Sequence, residues 1–215
     1  MTLSKSKYLA MMVIVLSVVT FKIAAAQEDS EFHRGDRNGA DVAKLYELQA
    51  AFHRAASVHD PVNGDSPEVI TERVREMLSL WTRDAVLYLN VGGAVDGYYI
   101  GRGDPDDVST CPAVSSDPSN RGTLCTLFNS LSGSFKPANK WISMAPSFDT
   151  SIDVHGHTGT LYFQCHYFNV AVDPGTGKPL WAAVSHVELR SSVRNVGDNW
   201  QFSYASASVP PLPVP

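Results

Sequence analysis

Apolar residues recur at three- and four-residue spacing from Asp41 onward, at Val42, Leu45, Leu48, Phe52 and Ala55/Ala56. That period predicts an amphipathic helix capped by Asp41 and ending near His59. Asp60 to Asp65 is dense in turn formers. Ser66-Pro67-Glu68 then supplies a cap followed by proline at the first helical position, opening a second helix with Val69, Ile70, Val74, Met77, Leu78 and Trp81 along one side. After Trp81-Thr82-Arg83-Asp84 the pattern changes. Ala85 to Val91 is β-branched and aromatic and ends at Gly92-Gly93, and Gly97 to Ile100 reads as a second short strand. A Gly/Pro/Ser-rich insertion follows at 102–139, in which only Leu124 to Leu131 has helical character. Trp141–Val154, Thr158–Val172, Leu180–Arg190 and Asn199–Ala207 then read as four successive strands, with a hairpin loop over Asp173–Pro179. Helices first and strands afterwards predict an α+β fold, with helices on one face of a curved mixed or antiparallel β-sheet.

Strand alternation sorts side chains onto two faces. If Val172 pairs with Leu180, His166 lies opposite His186, Gln164 opposite Glu188 and Tyr162 opposite Arg190, all on one side. Leu161, Phe163, Cys165, Tyr167, Trp181, Ala183, Val187 and Leu189 fall on the other. Read plainly, the apolar side packs on the helices and the His/Gln/Glu/Arg row faces solvent or a second subunit. In the alternative the histidines face inward, and a bulge near Cys165 would switch the face of one of them. His166 and His186 then line a wet pocket as general acid and base at a carbon adjacent to a carbonyl.

The ends of the chain and its charge alter the reckoning of what folds. Lys5 and Lys7 precede an apolar run from Tyr8 to Phe21, followed by Lys22, Ile23 and Ala24-Ala25-Ala26, the layout of a secretory signal peptide over 1–26. Residues 27–40 read as a mobile lead-in, 41–207 as the domain, and 208–215 as a proline-rich tail of polyproline II character. With 44% hydrophobic and 18% charged residues the chain reads as globular. Losing three lysines and no acids moves its formal charge from -5 to -8. No phosphate-tracking surface is expected, hence no nucleic-acid partner, and no membrane partner after cleavage. Export, to a periplasmic or extracellular destination, permits disulfides. Cys111 and Cys125 bracket a polar Pro/Ser-rich loop and are expected to pair, while Cys165 reads as a buried free thiol. No metal site and no cofactor are expected.

Four segments carry a family resemblance: Leu48-Gln49-Ala50-Ala51-Phe52-His53-Arg54-Ala55, Leu80-Trp81-Thr82-Arg83-Asp84-Ala85-Val86-Leu87, Gly159-Thr160-Leu161-Tyr162-Phe163 and Gly197-Asp198-Asn199-Trp200-Gln201-Phe202. In order, spacing and the W-x-x-D-A-V and G-x-x-W punctuation, the chain from Asp41 to Ala207 resembles the SnoaL-like branch of the NTF2-like superfamily. The resemblance implies a cone that encloses an apolar pocket for a small hydrophobic or carbonyl-bearing molecule, with homodimerisation through the sheet. Aligned on Asp84-Ala85-Val86, the positions of an isomerase-type base and buried acid fall at Leu89 and Ser185, neither of which is acidic. A dehydratase-like alignment puts one pocket histidine at His166 and loses the second near Ser143 or Met144. The expected ligand-contacting set is Tyr167, Cys165, Leu89, Ser185 and Phe52. Function is then either binding without turnover, or cofactor-free dehydratase, cyclase or isomerase chemistry through His166 and His186.

Overall fold

A computed structural model of the chain describes residues 39–60, 64–92, 94–132, 140–173, 175–176 and 178–209. The expected signal peptide, most of the lead-in and the end of the proline-rich tail lie outside the described residues. By its internal contacts the chain divides between Ala43 and Lys44. In the first unit residues 39–43 are helical; the second unit is Lys44–Pro215.

Three helices, α1 (39–55), α2 (Pro67–Ser79) and α3 (Leu124–Leu131), accompany six strands, β1 (Trp81–Asn90), β2 (Gly97–Ile100), β3 (Lys140–His155), β4 (Thr158–Val172), β5 (Pro179–Val196) and β6 (Asn199–Ser208). The strands form one curved sheet in the order β2-β1-β6-β5-β4-β3. It is mixed: β1 and β6 run parallel and every other neighbouring pair antiparallel. The expected α+β architecture is therefore present.

Helix boundaries correct the expectation in two places. Residues 39 and 40 are already helical, so Asp41 lies inside α1 and does not cap it. The same helix stops at residue 55 rather than near His59, because its last carbonyls are taken by a side chain from α2. Arg73 donates to the carbonyls of Ala55 at 2.7 Å and Arg54 at 3.3 Å, and it pairs with Asp65 at 3.4 Å. Asp65 in turn accepts the backbone N–H groups of His59 and Asp60. A cation on the negative end of one helix, bridged to a carboxylate that closes the following turn, ties α1 to α2. Ser66 caps α2 as expected, accepting from the Val69 amide, with Pro67 in the first turn. Val69 itself is exposed, and the buried face is Ile70, Arg73, Val74, Met77 and Leu78. Trp81 follows helical spacing but belongs to β1, where it pairs with Phe202 and is fully buried.

The register of β4 on β5 is the expected one through the central strand: His166 opposite His186, Gln164 opposite Glu188, Tyr162 opposite Arg190. An irregularity at Ala171/Val172 places Val172 opposite Pro179 instead of Leu180. Leu161, Phe163, Cys165, Val187 and Leu189 are buried on the helix-facing side. Two bulges keep the core face continuous. On β3 the stretch between Pro146 and Thr150 carries two extra residues against Cys165–Phe163, which preserves parity and leaves the alternation of β4 untouched. On β6 one extra residue, Ser203, switches the buried positions from Trp200 and Phe202 to Ala205 and Ala207.

The insertion is better anchored than its composition predicts. Cys111 and Cys125 form a disulfide. Residues 115–122 run beside β2, where Tyr98 N–H donates to Pro118, Arg121 N–H to Tyr98 and Ile100 N–H to Gly122. Gly97 permits this approach, since a Cβ there would stand 2.5 Å from the Pro118 oxygen. Gly103 lies at φ +84°, with the space of its absent Cβ filled by Cys125.

Candidate functional site

A cavity of about 220 Å³ lies between the helices and the sheet. Its wall is drawn from every layer: Phe52 of α1 and Ala56 just after it, Met77 of α2, and Leu127, Phe128 and Leu131 of α3. From the sheet come Trp81, Leu87 and Leu89 of β1, Met144 of β3, Cys165 and Tyr167 of β4, Ser185, Val187 and Leu189 of β5 and Ala207 of β6. Val91, Val95 and Val209 complete it.

Local chemistry places these groups. Alternation along β1 turns Leu87 and Leu89 to the same side. The Asp96 carboxylate accepts the N–H groups of Val91 and Gly92, and the buried Tyr99 hydroxyl donates to the Val95 carbonyl at 2.7 Å, so the β1–β2 turn is held with both valines in the wall. A reciprocal capping box between Thr123 and Thr126 starts α3, whose first turn is also tied down by the disulfide at Cys125.

Polar chemistry in the cavity is concentrated at one spot. Tyr167 and Ser185 are directly opposite one another on β4 and β5. They are the two hydroxyl-bearing side chains among the described lining residues, and neither hydroxyl is engaged by another described residue. Burial pushes the Tyr167 phenol up, and it pushes the Cys165 thiol up to about 11, so both are neutral at pH 7. No Asp, Glu, Lys, Arg or His is among the described lining residues. The cavity is electrically neutral, apolar over most of its surface, and carries one cross-strand pair of hydroxyls.

Tyr167, Cys165, Leu89, Ser185 and Phe52 all line this cavity. His166 and His186 do not. They form a cross-strand pair with ring centroids 5.2 Å apart, on the face opposite that of Cys165 and Tyr167. The inward placement needed a bulge in β4, and the bulge lies in β3. Around the pair, Gln164 donates to the Tyr162 hydroxyl at 2.5 Å and its oxygen lies 2.6 Å from His186 Nε2, while Arg190 reaches Glu188 at 3.1 Å and stands over the Tyr162 ring.

His53 is the residue that pattern reading passed over. It is 6% exposed on α1, edge-on to Phe52 and Phe163, and neither ring nitrogen has a hydrogen-bond partner among the described residues. Burial lowers its pKa to about 4. One turn before it, Gln49 donates to the Thr150 hydroxyl, and one turn after it Ser57 bonds the backbone of Met144. Polar residues thus recur at i, i+4 and i+8, the outer two reaching β3 and His53 standing against Phe163 of β4, and that spacing was the available signal. Trp81 Nε1 is likewise buried without a partner among the described residues.

No protein-family model and no curated protein matches the sequence. Solved structures do match in fold. A candidate dehydratase of the NTF2-like family from Streptomyces avermitilis superposes with a TM-score of 0.56 at 13% identity, covering 81% of this chain and 99% of that one. A candidate scytalone dehydratase from Novosphingobium aromaticivorans gives 0.54 at 10% identity, over 82% and 88%. A protein of unknown function from Mycobacterium tuberculosis gives 0.51 at 9% identity, over 83% and 76%. At these identities the likeness concerns architecture, and it agrees with the strand order and helix placement described above: the chain has the NTF2-like fold.

Proposed function

We propose that this protein is a SnoaL-like member of that fold group that binds a small, uncharged, largely apolar molecule carrying one carbonyl or hydroxyl oxygen. The observation that carries the reading is the neutral cavity with its single Tyr167/Ser185 polar spot. An ionised ligand would have to shed its hydration with no counter-charge to meet it, a cost that an apolar wall does not offset. A cavity of about 150 Å³ accommodates benzene, so about 220 Å³ suits a one- or two-ring molecule. Tyr167 donates to the ligand oxygen and Ser185 donates or accepts beside it, which fixes its orientation. Proton transfer through His166 and His186 draws no support from the geometry, because the sheet itself separates them from the cavity. Export, expected from residues 1–26, draws support from the Cys111–Cys125 disulfide, a bond that persists in oxidising compartments.

The test compares 2-tetralone with naphthalene by tryptophan-fluorescence titration. Saturable binding of the ketone is expected, with Leu89→Trp filling the cavity and abolishing it. Tyr167→Phe should weaken the ketone by about five- to tenfold, the worth of about 1 kcal/mol for one hydrogen bond, and leave naphthalene unchanged. Unaltered binding in Leu89→Trp, or no binding of either molecule, overturns the proposal.

A further inference from the structure

We propose that His166 and His186 form a two-imidazole chelating site for a divalent transition-metal ion, on the sheet face away from the cavity. Directly opposite residues in an antiparallel pair hold their Cβ atoms about 5 Å apart. From there two imidazole nitrogens can meet one ion at about 2.0–2.1 Å each. The rings stand 5.2 Å apart between centroids and at 75° to one another, edge to face rather than stacked.

The surroundings select the tautomer that such a site needs. Gln164 uses its amide N–H to reach the Tyr162 hydroxyl, which turns its oxygen toward His186. A carbonyl oxygen only accepts, so His186 Nε2 bears a proton, and in the neutral ring it is Nδ1 that carries the lone pair. Among the described residues no partner occupies that Nδ1 or either nitrogen of His166. A histidine whose second nitrogen donates to an amide oxygen, itself held by a tyrosine, has the outer support that orients metal-ligating imidazoles. Arg190, four residues on from His186 in β5, is engaged by Glu188 and the Tyr162 ring. No group of three or more His, Cys, Asp and Glu is assembled among the described residues, so the protein supplies two ligands and water the remainder. Imidazole donors favour copper, nickel and zinc in the Irving–Williams order, and discriminate against magnesium and calcium, which take oxygen.

The test is calorimetric titration of the untagged full chain with NiCl2, and with MgCl2 as the control. One Ni2+ per chain and no Mg2+ binding are expected. His166→Gln and His186→Gln should each lower Ni2+ affinity at least tenfold, and Gln164→Leu should lower it about tenfold. The His155→Gln/His157→Gln double variant, which removes the exposed imidazoles of the β3–β4 turn, should retain it. The electron paramagnetic resonance spectrum of the Cu2+-loaded wild type should show coupling to two imidazole nitrogens, a readout independent of any variant's folding. Absence of saturable Ni2+ binding, undiminished binding in the His166/His186 variants, loss in the His155/His157 variant, or coupling to fewer than two imidazoles overturns the site.

Discussion

Replacing His53 by Met should flatten the acid limb of the protein's stability. The ring has an ordinary pKa of about 6.5 in the unfolded chain and about 4 in the folded one, where burial among Phe52 and Phe163 opposes its charged form. Between those values the unfolded chain holds a proton that the folded chain refuses, so stability is complete above pH 6.5 and falls as pH drops toward 4. The whole span corresponds to about 3 kcal/mol, of which about 2 kcal/mol is lost between pH 7.5 and pH 5. His53→Met removes that dependence. At pH 7.5 it also removes two buried nitrogens without partners among the described residues, and an apolar side chain of similar size should leave stability unchanged or raise it by about 1–2 kcal/mol. Urea denaturation of both proteins at pH 7.5 and pH 5 reads all of these quantities. A variant that retains the wild-type difference between the two pH values, or that loses more than about 2 kcal/mol at pH 7.5, refutes the account of His53 as an unpartnered neutral ring.

Four further outcomes are expected. Cys111→Ser with Cys125→Ser should lower stability by about 3 kcal/mol in urea, for a loop of 14 residues' separation. Because α3 contributes Leu127, Phe128 and Leu131 to the cavity, the same variant should bind 2-tetralone more weakly in the fluorescence titration. Cys165, with its thiol pushed up to about 11, should resist a disulfide-exchange reagent at pH 8 in the native protein and react within minutes once unfolded in urea; rapid native labelling would contradict its burial. Gly103→Ala should cost about 2 kcal/mol or more, since it combines a left-handed backbone at φ +84° with a Cβ placed 2.5 Å from Cys125 Cβ, and thermal melting measures it.

Much of the sheet was legible because a strand's side-chain period is two. Once the Asp173–Pro179 loop is set, the pairing of His166 with His186 and of Tyr167 with Ser185 follows, and with it the face each occupies. The bulges at Ser203 and between Pro146 and Thr150 were not legible, since an extra residue in one strand is specified by its partner's register and leaves no mark on composition. Arg73 shows another limit: a charge on an apolar helix face reads as solvated, and only tertiary structure reveals that it is 1% exposed and engaged with the end of α1 and Asp65. The five expected ligand-contacting residues come together in the cavity wall. Val91, Val95 and Leu131 went unanticipated, because their orientation depends on a turn and an insertion whose paths are set by long-range hydrogen bonds.

Residues 115–122 make the two margins of the sheet unequal. In the strand order β2 and β3 are the terminal members, yet β2 spends its outward-pointing amides and carbonyls on the chain's own insertion. A foreign strand arriving there would have to displace Pro118–Gly122 and work against the cystine that tethers it. Growth of the sheet by strand addition, whether productive or as the first step of aggregation, is therefore opposed at the β2 margin.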